Sequence, residues 1–204
     1  VLTGGRSVRF GTDKGRFVLP GETQDMLQRT LCLLGSLPGI RRLAVSCRAD
    51  QAAALRPRLP AGTAVVEDPP HETSTPFYGV LSALRHFGGP LLVLSCDLPL
   101  MDKGTLGLLI EARSRALASA KTKDDAPLRT TFMHPDGRAE TLVSVYEAEA
   151  LPFFEETLRA GRQGLFSAIP FERQTFLPCP AERPFLNMNT PDGPAMQEYL
   201  RLLR

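Results

Sequence analysis

Short aliphatic runs alternate along this chain with longer stretches in which apolar residues recur every three or four positions. Leu43-Ala44-Val45-Ser46, Ala64-Val65-Val66-Glu67 and Leu91-Leu92-Val93-Leu94-Ser95 have the length and side-chain content of strands, and 141–146 is a further candidate. The Leu91 run is apolar until its last residue, as expected of a central strand covered on both faces. Helical spacing runs over 26–37, 77–87, 103–120, 148–160 and 194–203. Strands taking turns with helices predict an α/β layered domain. The polar stretch 121–128 predicts a mobile loop, and no internal repeat or low-complexity linker marks a domain boundary.

Composition narrows the class without naming a chemistry. With 204 residues, 43% hydrophobic and 23% charged, the chain can bury one sizeable core, so a single domain over 1–204 is expected. A strand ending at Leu2 needs residues ahead of it, and the chain opens without Met, so a few native N-terminal residues are expected upstream. No apolar run is long enough to span a bilayer and no basic-then-apolar leader opens the chain, so no membrane partner is expected and the cytoplasm is the expected location. A net charge of +2 does not by itself imply a nucleic-acid partner, so any phosphate binding must come from a local arrangement. Cys32, Cys47, Cys96 and Cys179 are scattered and read as buried thiols in a reducing compartment. His71, His86 and His134 have no metal spacing, and the first two are read as surface residues.

Four segments could carry chemistry. From Leu2-Thr3-Gly4-Gly5-Arg6 through Arg9 to Lys14, a glycine-rich turn follows what reads as the first strand. Glycines let backbone N–H groups approach phosphate oxygens, and the basic side chains offset the remaining charge. Neither the P-loop nor the dinucleotide fingerprint fits this spacing, and a glycine-rich turn can also be purely structural. In Leu94-Ser95-Cys96-Asp97-Leu98-Pro99, an acid stands at the carboxyl end of the buried strand, where open α/β sheets place ligands. One carboxylate there could hold a Mg²⁺ whose other ligands are phosphate oxygens and water. The alternative role for Asp97, capping the next helix, is better filled by Asp102. Glu67-Asp68 is a second acidic strand end, able to accept from a ribose or a base edge or simply solvated. Asn187 and Asn189 alternate before Thr190-Pro191-Asp192, which suits either one side of a cleft or a turn leading into the last helix. No Ser or Cys has a convincing base, and Asp124-Asp125 reads as solvated.

Together these segments resemble the MobA-like nucleotidyltransferase family, and within it the molybdenum cofactor guanylyltransferases. The opening is similar to that family's LAGGxSxRMGxDK, with Thr3 for Ala and Phe10 for Met. Glu67-Asp68 matches its acidic strand end, and Thr75-Pro76-Phe77-Tyr78-Gly79 keeps part of its Gly-Pro-Leu-x-Gly turn. Ser95-Cys96-Asp97-Leu98-Pro99 matches PCDxP, and 187–192 matches NxNTPE/D. The likeness covers nearly the whole chain in order. Its opening motif is specific, and the others gain their force as an ordered set.

The resemblance implies a three-layer α/β/α Rossmann-like nucleotidyltransferase fold of the nucleotide-diphospho-sugar transferase type, with a mostly parallel central sheet. It implies transfer of GMP from GTP to molybdopterin carrying its metal, with Mg²⁺ as cofactor, and transient contact with other molybdenum cofactor proteins or acceptor apo-enzymes. By the same resemblance, Leu2, Thr3, Gly4 and Gly5 line the nucleotide, Lys14 holds the triphosphate and Asp68 touches the nucleoside. Asp97 binds Mg²⁺ and hence the nucleotide, Arg9 helps neutralise charge, and Asn187 and Asn189 face the acceptor. The family's nucleoside-contacting Asn at the end of the second strand is here Ser46, whose shorter hydroxyl leaves base selectivity open. Three other readings stand beside this one: the same chemistry with CTP, transfer to a sugar or isoprenoid-precursor phosphate, and a nucleotide-binding module without catalysis. The presence of both Lys14 and Asp97 counts against the last.

Overall fold

The sheet grows outward from a short N-terminal segment. The structure is a computed structural model that describes residues 1–3, 14–70 and 75–203. Leu2 makes parallel bridges to Ser46 on one side and Ser95 on the other. Its N–H donates to the Leu94 carbonyl at 3.0 Å, while the Thr3 N–H donates to the Ser46 carbonyl at 3.0 Å. This segment therefore joins a two-stranded sheet, β1 (Ala44–Arg48) with β2 (Ala64–Asp68), to a four-stranded one. The second sheet runs β3 (Leu91–Leu94), β5 (Ala139–Tyr146), β4 (Arg129–Met133), β6 (Gln174–Pro178). Across the whole order, β5 is antiparallel to its neighbours and the remaining pairings are parallel, so the sheet is mostly parallel as expected.

Helices cover both faces. Alternation along β3 sends Val93 and Leu94 to opposite sides, and each joins a different core. Val93 packs with α3 (Pro76–Phe87) and α5 (Leu151–Arg159) through Phe77, Leu81 and Phe154. Leu94 packs with Leu34 of α1 (Met26–Gly35) and with Leu106 and Leu109 of α4 (Lys103–Ser119). The short α2 (Ala49–Leu55) leans on β1 and α1 through Ala52 and Leu55. The last helix, α6 (Pro194–Leu202), closes a smaller cluster around Met188. Local chemistry sets the boundaries. Pro76 opens α3 and Gly88 ends it in the left-handed conformation at φ 59°. Asp102 caps α4 by accepting the Thr105 N–H at 2.9 Å, which is the task the sequence assigns to it rather than to Asp97.

Several elements depart from the sequence reading. β4 goes unpredicted because Arg129, Thr130 and Thr131 read as surface residues, yet all three are buried. Their polarity is matched only in part, since the Thr130 hydroxyl and Arg129 Nε find no hydrogen-bond partner among the described residues. Thr131 donates to the Glu140 carbonyl at 2.9 Å, and Arg129 donates to the Leu165 carbonyl at 2.8 Å while lying over the Tyr146 and Phe166 rings. β6 and α2 are also unpredicted, each too short and mixed to show a period. The 121–128 stretch is irregular, but Arg173 ties it down through the Ala126 carbonyl at 2.9 Å and the Lys123 carbonyl at 3.1 Å. Of the four thiols, Cys47 and Cys96 are buried as expected, Cys179 is half-buried and Cys32 is exposed. His86 is exposed as expected, and His71 lies outside the described residues. His134 is buried against Glu140, with 2.6 Å between Nε2 and Oε1. Among the described residues no helix is long and apolar enough to cross a membrane.

Candidate active site

Because β1, β2, the N-terminal segment and β3 run parallel, their carboxyl ends open on one edge of the sheet, the edge that takes ligands in this class of fold. Asp97 stands on that edge, two residues beyond the Ser95 bridge. The Ser95 hydroxyl donates to Asp97 Oδ1 at 2.6 Å, and the Asp97 carbonyl accepts the Met188 N–H at 2.8 Å. The carboxylate is thus held from its own strand end, and its backbone is pinned by the C-terminal segment. Lys14, from the 3₁₀ turn Lys14–Arg16, brings its Nζ to 3.4 Å from Asp97 Oδ2 and donates to Asn189 Oδ1 at 3.1 Å. Lys14, Asp97 and Asn189, separated by 83 and 175 positions relative to Lys14, meet at one point.

Asn187 and Asn189 are both exposed while Met188 between them is fully buried among Leu19, Met26 and Tyr199. The predicted alternation is therefore real. The stretch is not simply extended, however: the Asn189 N–H donates to the Asn187 carbonyl at 3.0 Å, a tight turn around Met188. Of the two amides, Asn189 is the one that bonds to Lys14.

A second group lies on the same edge toward β2. Thr3, Ser46 and Asp68 are all buried. The Ser46 hydroxyl donates to Asp68 Oδ1 at 2.8 Å, and Thr3 donates its hydroxyl to the Ser46 carbonyl at 3.1 Å. Glu67 points outward instead and pairs with Arg56 at 3.0 Å, so the two adjacent acids have separate fates. Cys47 next to Ser46 is buried and held toward its neutral thiol form. Burial first, and then the charges of Asp68 and Glu67, push its thiol up to about 11.

Gly4, Gly5 and Arg9 lie outside the described residues. The others, Leu2, Thr3, Lys14, Ser46, Asp68, Asp97, Asn187 and Asn189, fall on the carboxyl-end edge or on the segment that docks against it. Ser95, which fixes Asp97, is missing from the sequence reading of the site. Its place two residues before the acid, where the strand end passes into a turn, is the signal that could have found it.

The donor set suits a hard cation that keeps most of its water. Among the described residues no group of three or more His, Cys, Asp or Glu could cage a metal by itself. A single carboxylate at the rim of a phosphate site is how Mg²⁺ is usually held, with phosphate oxygens and water completing an octahedron.

Comparison with known proteins agrees with this fold. The model of the MobA-like NTP transferase domain matches residues 1–173. A probable molybdenum cofactor guanylyltransferase from Chloroflexus aggregans is 31% identical, over 98% of this chain and 93% of its own length. A molybdenum cofactor guanylyltransferase from Pseudomonas putida is 29% identical, over 94% of this chain and 92% of its own. The solved structure of molybdopterin-guanine dinucleotide biosynthesis protein A from Archaeoglobus fulgidus superposes with a TM-score of 0.73 at 22% identity, covering 99% of this chain and 96% of that one. The mostly parallel α/β/α sheet is thus shared architecture, and the chain belongs to the MobA-like NTP transferase family.

Proposed function

We infer that this chain transfers GMP from GTP to molybdopterin, carrying its metal, to give molybdopterin guanine dinucleotide and pyrophosphate. The observation that carries this reading is the meeting of Lys14, Asp97 and Asn189 at the carboxyl end of β3. A cation, an anion and a neutral amide at one point can receive a triphosphate, its counter-ion and a phosphorylated acceptor. The names of the similar proteins support GTP and molybdopterin as the pair.

In this mechanism an acceptor phosphate oxygen attacks the α-phosphorus. The bond from that phosphorus to the bridging oxygen breaks, and pyrophosphate leaves with the electron pair. The attacking oxygen is already anionic at neutral pH, so no general base is required. Lys14 shifts from Asp97 to the triphosphate, and Asp97, fixed by Ser95, would hold Mg²⁺, whose chemistry there is charge neutralisation along the phosphates. Backbone groups of Leu2, Thr3, Gly4 and Gly5 line the nucleotide, and Arg9 adds charge. Thr3, Ser46 and Asp68 form the nucleoside end, and Asn187 with Asn189 faces the acceptor. The rate then comes from positioning and charge rather than from covalent chemistry. Residues 1–204 act as one domain, in the cytoplasm where nucleoside triphosphates are plentiful.

The test is pyrophosphate release with Mg²⁺, purified molybdopterin and each nucleoside triphosphate in turn. GTP should support the fastest release, and omitting the acceptor should abolish it. Faster release with CTP would replace the guanylyl assignment by a cytidylyl one, a reading that Ser46 in place of the family's Asn makes worth the comparison. Release with none of the nucleotides would leave only a binding module.

A further inference from the structure

Two positions at which the nucleotide side of this chain departs from the family pattern, Thr3 and Ser46, touch each other. Thr3 grips the Ser46 carbonyl with both its N–H, at 3.0 Å, and its hydroxyl, at 3.1 Å. The Ser46 hydroxyl, in turn, is spent on Asp68 Oδ1 at 2.8 Å, and all three residues are buried. Behind Ser46 lies Gly79 of α3. A Cβ built on Gly79 would stand 2.7 Å from Ser46 Oγ and 3.0 Å from Leu2 Cδ2. The hydroxyl is therefore clamped between an acid and a glycine that leaves it just enough room.

We propose that Ser46 is a positioning residue rather than a nucleoside ligand: held by Thr3 and admitted by Gly79, it fixes the Asp68 carboxylate so that Asp68 reads the donor edge of guanine. This rests on the guanylyltransferase reading and specifies which group selects the base. Sheet order supports the base over the ribose as what Asp68 meets. From Asp97 at the end of β3 to Asp68 at the end of β2, the ladder crosses the N-terminal segment and β1. Three strand spacings make about 14 Å. With the triphosphate at Asp97, the ribose lies next to the α-phosphate and the base beyond it, toward Asp68. Guanine offers its ring N1–H and its 2-amino group side by side, two donors suited to a carboxylate. Adenine and cytosine place an acceptor next to their amine and match it less well.

The test uses nucleotide binding by calorimetry, without acceptor, with GTP, ITP (which lacks the 2-amino group) and 2′-deoxy-GTP. Wild-type protein should prefer GTP to ITP by roughly tenfold, and it should barely distinguish GTP from 2′-deoxy-GTP. Ser46→Ala should weaken GTP by about tenfold and pull the GTP/ITP ratio toward one, whereas Ser46→Thr, which keeps the hydroxyl, should retain most of it. Gly79→Ala should copy Ser46→Ala, and the double variant should be no worse than either single one, because the first obstacle to the new methyl has been removed. If Ser46→Ala proves too unstable to assay, Asp68→Asn supplies the same readout: it can still accept from Ser46 but should lose the GTP/ITP preference. An unchanged GTP/ITP ratio in these variants, additive effects of the two substitutions, or wild-type binding of 2′-deoxy-GTP roughly tenfold or more weaker than GTP would overturn the proposal. Failure of the wild-type protein to bind GTP at all would overturn the guanylyltransferase reading itself.

Discussion

Replacing Asp97 by Asn separates a structural carboxylate from a functional one, because the two roles predict effects of very different size. At 3.4 Å, the Lys14–Asp97 pair has a gross Coulomb energy of roughly 5 kcal/mol at an effective dielectric of about 20. Both side chains are about one-fifth exposed, at 19% and 21%, so desolvation and ordering offset most of that and leave about 1 kcal/mol net. The amide is isosteric and can serve both neighbours. Its oxygen can face Lys14, while its NH₂ donates to the Ser95 hydroxyl, which can accept. The melting temperature of Asp97→Asn should therefore fall by only ~2–4 °C. Turnover is a different matter. An amide carries no charge to anchor Mg²⁺ against a triphosphate, and losing ~3–4 kcal/mol of transition-state stabilisation slows transfer roughly 10²–10³-fold. The assay pairs pyrophosphate release at saturating Mg²⁺ and GTP with scanning calorimetry. Turnover within twofold of wild type would remove Asp97 from the metal site. A fall in melting temperature beyond 10 °C would make its role structural.

Lys14→Ala should raise the apparent KM for GTP and slow transfer by about tenfold or more, with partial rescue by Lys14→Arg, since a guanidinium does not replace a point ammonium; a wild-type rate in Lys14→Ala would exclude the contact. Asn187 is exposed, so Asn187→Ala should leave the melting temperature nearly unmoved while raising KM for the acceptor and not for GTP; a stability loss with intact acceptor kinetics would withdraw it from the site. A thiol reagent at pH 8 should modify exposed Cys32 first, whereas buried Cys47 should react only after unfolding; equal rates would contradict the burial described here. Burial raises the folded-state values of Cys47 and Cys179 from 9.0 to about 11, so their contribution is complete below pH 9 and is lost as pH rises toward 11. Unfolding midpoints in denaturant should therefore drop across that window, and less steeply in Cys47→Ala.

The core strands were legible because burial on both faces leaves an apolar run with few alternatives. Leu91 to Leu94 can hardly be anything else in a chain of this pattern. β4 was not legible, because its buried Arg129 and Thr131 bond to the carbonyls of Leu165 and Glu140, backbone partners whose approach no side-chain pattern announces. The site divides along the same line. That an acid ends each of two strands is a local fact. Which of Glu67 and Asp68 faces inward is a matter of strand parity, recoverable once the face of Val66 is known.

The contact between Ser46 and Asp68 needs more than parity. Ser46 pairs with Val66 and Arg48 with Asp68, so the hydrogen bond runs diagonally across two parallel strands. Its existence depends on their relative register, which a crossover through α2 sets and no property of either strand encodes. The convergence of Lys14, Asp97 and Asn189 is less local still. Resemblance to a family could place these residues in one site, because a family pattern carries the outcome of folding, and the sequence alone could not. Within that site the carboxylates and the hydroxyls divide the labour. Ser95 donates to Asp97 and Ser46 donates to Asp68, so each of the two acids proposed to meet substrate accepts a hydrogen bond from a serine hydroxyl. A hydroxyl donating to a carboxylate satisfies it without bringing a counter-charge, which is what the proposed roles require, a cation at one end and a donor edge at the other.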